Sequence, residues 1–195
     1  RDKMKAYRPG NGIYQNPPPL INDPAVIYCD PQGIPRMDLY ELRDTHIVHE
    51  KEKTIILYQY NHMWRNIWSD WRELPKDPEP RWMGYSTGKW EDDNTFVATT
   101  VGVDGRTWLD KSGRPHSEDM RVEERFHRVA KDMLEFTVTI NDPSMYTAPW
   151  KPLDKFHMKL LPANVEPIEM LCSVSEYMLY NEQMKFGNPT AGTGG

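Results

Sequence analysis

Alternation of apolar and polar residues dominates the middle of this chain, and its period of two is that of β-structure. In the clearest run, Met133 to Ile140, the residues Leu134, Phe136, Val138 and Ile140 alternate with Glu135, Thr137 and Thr139. That pattern predicts a half-buried strand. Arg121 to Val129 precedes it across an Ala130-Lys131-Asp132 turn, so residues 121–140 read as a hairpin. Residues 84–103 read as another. Arg81 to Trp90 alternates, Glu91-Asp92-Asp93-Asn94 supplies turn chemistry, and Thr95 to Val101 returns. Trp82, Gly84, Ser86, Gly88 and Trp90 share a face there, the small residues leaving room for large ones on a neighbouring strand. Thr54 to Tyr60 is β-branched and aromatic, and alternation continues from Asn61 to Trp68. His62, Trp64, Asn66 and Trp68 then fall on one face, with Met63, Arg65 and Ile67 on the other. Lys155 to Leu161 and Ile168 to Cys172 supply two more strands. Ser173 to Met184 reads as the one helix, capped by Ser173 or Ser175.

Repeated hairpins of similar length predict an all-β fold, an antiparallel up-and-down barrel of about eight strands whose closure removes exposed edges. A two-sheet sandwich is the alternative. Residues 1–34 form an irregular Pro-rich arm, rich in turn signals such as Pro17-Pro18-Pro19 and Asp23-Pro24. Residues 35–175 are the barrel. Residues 176–195 are a C-terminal helix and a tail of flexible composition, Asn188 to Gly195. Arm and tail both read as segments that dock on the core, on a second copy or on a larger assembly.

Composition narrows the function classes. Hydrophobic residues at 38% and charged residues at 27% describe a soluble globular protein. The balance of 24 Lys and Arg against 29 Asp and Glu, with no basic block, argues against a nucleic-acid partner. No apolar run has the length of a membrane span. The two cysteines, Cys29 and Cys172, lie far apart. A bond between them would close a loop of most of the chain, the alternative being two buried free thiols. That spacing, with a sequence starting at Arg1 instead of Met, fits a secreted or periplasmic protein.

Two blocks of sequence carry a resemblance. Asn61-His62-Met63-Trp64-Arg65, Leu74 to Trp82 and Gly84-Tyr85-Ser86 form the first. Thr107-Trp108-Leu109-Asp110, Gly113 to Ser117 and Glu124-Arg125-Phe126 form the second. Over roughly residues 23 to 175 the chain resembles a family of uncharacterised, mostly secreted bacterial proteins with lipocalin-like β-barrel character. The resemblance implies architecture and no activity.

Candidate chemistry gathers in three places. Aromatic rings at strand spacing suggest a wall for a small apolar or aromatic molecule: Trp64, Trp68, Trp82, Tyr85, Trp90 and Trp108, with Arg65 beside them. His62 shares the Trp64 face and would point at the cavity. In the loop from Asp104 to Asp119, Asp110 could orient His116 as a general base. Glu124 lies on the apolar face with Val122 and Phe126, where a carboxylate needs a partner such as Arg65 or Arg106. No metal-ligand pattern, P-loop, GxGxxG or GxSxG occurs, so no cofactor is expected. Three readings follow: a small-molecule-binding barrel, an accessory subunit docking through its ends, and a cofactor-independent acid–base enzyme using His116 and Asp110 with His62 or Glu124.

Overall fold

A computed structural model describes residues 23–39, 44–110, 113–176 and 178–179 of the 195-residue chain. Its frame is one eight-stranded sheet, ordered as in the chain and curled into a half-barrel. The strands are β1 Thr45–His49, β2 Lys53–Tyr58, β3 Trp64–Trp68, β4 Tyr85–Trp90, β5 Thr95–Val101, β6 Arg121–Ala130, β7 Met133–Asn141 and β8 Trp150–Lys159. The all-β class, the strand number and both hairpins follow the sequence reading.

The up-and-down path is broken once. β3 and β4 pair in parallel, at Ile67–Ser86 and Trp68–Thr87, while the other neighbours are antiparallel. A hairpin cannot join parallel strands. The connection between them carries Pro75, Pro78 and Pro80 and crosses from one end of the sheet to the other. A second departure lies at Ile168 to Cys172, where only Met170 joins the sheet, as a single bridge to Tyr60.

Two short helices precede the sheet: α1, Pro24–Ile27, where the sequence reads as irregular arm, and α2, Arg36–Leu39, at the start of the stretch read as barrel. Asp23 caps α1 by accepting from Ala25 N at 3.0 Å, with proline at the first turn. The same carboxylate accepts both Nη atoms of buried Arg36, which fastens α1 to α2. Residues 174–176 and 178–179 are helical. The rest of the expected C-terminal helix, the tail, and residues 1–22 of the arm lie outside the described residues.

The concave side of the sheet holds the core. Ile56, Ile67, Phe96, Val122, Phe136, Val138 and Ile140 are buried there, with Met37 of α2 packed among them. Full burial of each such side chain contributes about 1.5–3 kcal/mol. Gly88 has to be glycine at this curl. A Cβ would stand 2.8 Å from Ile67 Cγ2 and collide with the Phe96 ring, so the small residue makes room for its cross-strand neighbours. A Cys29–Cys172 disulfide joins the segment before β1 to the segment after β8. Among the described residues, no helix is long and apolar enough to cross a membrane.

Candidate functional site

Arg65 is the second residue of β3 and Glu124 the fourth of β6, and alternation sends both side chains to the concave face. Curling of the sheet brings them together across β4 and β5. Arg65 Nη1 donates to Glu124 Oε2 at 2.8 Å, and Nη2 donates to Oε1. Nη1 also reaches Thr100 Oγ1 at 3.4 Å, and Thr100 is bonded to Ser86 Oγ at 2.8 Å. Arg65 is 3% exposed and Glu124 not at all. Burial, the largest single effect, would lower the Arg65 pKa, but the acidic neighbours together, Glu124 foremost, outweigh it and hold the guanidinium charged.

Asp38, delivered by α2, is the third ionisable group on this face. It is 6% exposed and accepts one hydrogen bond, from Tyr58 Oη to Oδ1 at 3.3 Å. Oδ2 is sealed from solvent and takes no hydrogen bond from an amide, hydroxyl or guanidinium. The carboxyl also meets Glu124, a contact between two acids that is attractive only when one of them is protonated. Burial, and then the charge of Glu124, push the Asp38 pKa well above the carboxylate range. That direction favours one proton held between the two acids, which spares the cluster a second negative charge against one guanidinium. Burial likewise pushes Tyr58 up, so it remains a phenol.

Asp38 and Tyr58 open onto space. A cavity of about 20 Å³, room for about one water, lies beside them against Tyr60, Phe126, Phe136 and Met158. It shares Asp44, Tyr58 and Gln59 with a groove of about 240 Å³, whose other walls include His46, Leu57, His62 and Ile168. Gln59 fixes the groove's shape: its Nε2 donates to Ile168 O at 2.9 Å, and its Oε1 accepts from Asp44 N at 3.3 Å.

None of the tryptophans expected to line a cavity borders the two spaces just described. β3 has the opposite facing to the one predicted: Arg65 and Ile67 point inward, and Trp64 is 57% exposed. Asn61 and His62 adopt left-handed backbone, φ 55° and 48°, which resets the phase before the strand begins. Trp90 is 51% exposed. The other rings sit under cations: Trp68 under Arg72 at 3.6 Å and Lys53 at 5.7 Å, Trp82 under Arg106 at 4.2 Å, Tyr85 under Arg81 at 4.2 Å. Trp108 is buried against Arg36 at 5.8 Å. An indole facing an exposed guanidinium covers its stem and is satisfied on an outer surface.

The loop pair is not formed either. Asp110 bonds to Arg114, and His116 bonds elsewhere. His116 Nδ1 lies 2.9 Å from Ser117 O and Nε2 lies 2.6 Å from Thr107 Oγ1. A carbonyl only accepts, so Nδ1 carries the proton and both ring nitrogens are spent on the loop. The carboxylate that organises this loop is Asp142, which takes Ser117 N and Oγ, each at 2.7 Å. Arg106 is bound to Asp104 at 2.9 Å, far from duty at Glu124.

Of the sequence candidates, then, Arg65 and Glu124 meet in the interior, and His62 stands on the groove wall. Asp38, Asp44, Tyr58 and His46 went unidentified. Tyr58 follows Thr54 and Ile56 in the inward phase of β2, a signal that could have found it; Asp38 sits in a single helical turn with no periodic pattern. Comparison with protein-family models, curated proteins and solved structures finds no match for this chain.

Proposed function

We propose that this protein binds a small, predominantly apolar molecule at the open end of its half-barrel, in the groove between β1–β2 and residues 167–168. The molecule's polar end would reach the inner cavity at Asp38 and Tyr58. One observation carries the reading: a buried carboxyl group, Asp38, and the Tyr58 phenol border a cavity whose other walls are largely aromatic and aliphatic. Binding sites combine an apolar lining with a few polar groups in this way. The groove's volume, near the lower end of ligand pockets at about 300 Å³, suits a compact ligand.

The test is a titration with ethylbenzene, followed through the NMR signals of the Met37 and Met158 methyl groups, both at the inner cavity. Saturable shifts of those two, with the core methyl of Met120 unmoved, are expected. Ile47→Trp, at the rim of the cavity, should abolish them. Shifts spread evenly over all methionines, or none, would overturn the reading. We also read the chain as extracytoplasmic; the Cys29–Cys172 disulfide supports this, because such bonds persist in oxidising compartments.

A further inference from the structure

The single parallel pair in the sheet decides what becomes of its edges. β1, β3, β4, β6 and β8 all run one way, because every neighbouring pair except β3–β4 is antiparallel. The first and last strands therefore cannot close on each other in the antiparallel manner of an up-and-down barrel. Residues 160–171 link the two sides of the opening instead. They leave β8 where Leu160 N donates to Asp132 O at 2.8 Å, and they end beyond β2, where Met170 bridges Tyr60. This strip packs on little: Leu160, Leu161, Val165, Ile168 and Leu171 are 43–76% exposed. Apolar side chains gathered on a surface in this way mark an interaction site. The strip also holds two acids, Glu166 and Glu169, and no lysine or arginine.

Next to the strip, β8 has a neighbouring strand on one side only, β7. Its charge is of the other sign. Lys151 is bound to Asp154 at 3.7 Å and His157 lies 3.5 Å from Glu135. Lys155 and Lys159 remain, both exposed beside the exposed ring of Phe156, and neither meets a carboxylate among the described residues. Glu166 and Glu169 are exposed too and meet no described cation. One surface thus carries an acidic apolar strip and a basic edge with an apolar ring, each with the charge that the other lacks. We infer that this surface binds a second copy of the chain about a two-fold axis, the strip of each copy lying on the β8 edge of the other. A two-fold contact sets one patch against itself, so the patch has to be self-complementary, as this one is. Strip on strip would oppose Glu to Glu, and edge on edge would oppose Lys to Lys; both cost energy. Lysines on a bare edge discourage indiscriminate strand pairing, and here they also select an acidic partner. An anionic lipid surface would repel the carboxylates of the strip.

Sedimentation equilibrium of the full, disulfide-bonded chain should give twice the mass of one copy. Two charge-reversed variants then test the arrangement. Glu166→Lys with Glu169→Lys makes strip and edge both basic; Lys155→Glu with Lys159→Glu makes both acidic. Each variant alone should self-associate at least about tenfold more weakly than the wild type. Mixed in equal amounts they should form a heterodimer, because the strip of each then meets an edge of opposite charge. Should either variant fail to fold, the wild type in about 1 M salt is the second measurement, where screening should weaken its dimer about tenfold. A wild-type chain that sediments as one copy at about 100 μM would overturn the inference. So would a dimer untouched by either charge reversal or by salt, and so would folded variants that stay apart on mixing. A single copy that cosediments with phosphatidylcholine vesicles would overturn it as well and give the strip to a lipid surface.

Discussion

In the loop between β5 and β6, His116 is enclosed and its ring nitrogens meet a hydroxyl and a carbonyl of the loop; on the concave face of the sheet, Asp38 is enclosed and meets a phenol and a second acid. Both are buried ionisable groups with shifted pKa values, and burial is the leading cause of each shift. What separates them is accounting of hydrogen bonds and the space next door. His116 behaves as a strut that ties Thr107 to Ser117. Asp38 borders a cavity and shares a proton with a second acid. A perturbed pKa therefore points to a site only where open space adjoins the group.

Breaking this contrast at its strongest point means removing one partner of the interior pair. Glu124→Gln leaves the Arg65 charge buried without compensation and should cost about 3–5 kcal/mol, read as a fall in the urea midpoint. Arg65→Met combined with Glu124→Leu should recover much of that loss, since an apolar pair of similar volume has no charge to desolvate. The loop should respond less. His116→Gln removes two hydrogen bonds and should cost about 1–3 kcal/mol while leaving the ethylbenzene titration of the Met37 and Met158 methyls unchanged.

The two regions should also differ in the sign of their pH dependence. Burial lowers the His116 pKa, so the folded state resists the proton that the unfolded chain accepts. Stability from His116 is present above about pH 6.5 and drains away as pH falls through the lowered value; His116→Gln should flatten that acid limb. The Asp38 pKa is raised, which reverses the sign. Its contribution is complete below the unfolded carboxylate value near 3.9 and is lost as pH climbs through the raised folded value. Asp38→Asn should flatten the high-pH side of the stability profile instead. Smallest of all is Trp64→Ser, on the outer face. A change within about 0.5 kcal/mol and unaltered probe binding would confirm that this indole lines nothing.

Most of the frame was legible because alternation on β6 and β7 is uninterrupted and their turns are chemically marked. β3 shows why the rest was not. Treating tryptophan as inward and arginine as outward gave the wrong face. Yet the inward Glu124 required a cation, and Arg65 was already one of two candidates. The two readings of Arg65 conflict, and the cost of a buried lone carboxylate is several kcal/mol, more than an exposed indole loses. Charge compensation was the stronger constraint. The site itself was less legible. Asp38 comes from one helical turn among prolines, and its neighbours Glu124 and Arg65 are 86 and 27 residues away in the chain, as their numbers show. Only the curl of the sheet unites them. Asp110 and His116 illustrate the reverse case, where closeness in sequence suggested a pair that Arg114 and Thr107 had already claimed.

The covalent link between Cys29 and Cys172 encloses every strand of the molecule. A protease that nicks any one of the hairpin turns would therefore release no fragment: on a gel without reductant the two pieces would migrate as a single species, and thiol treatment would be needed to part them.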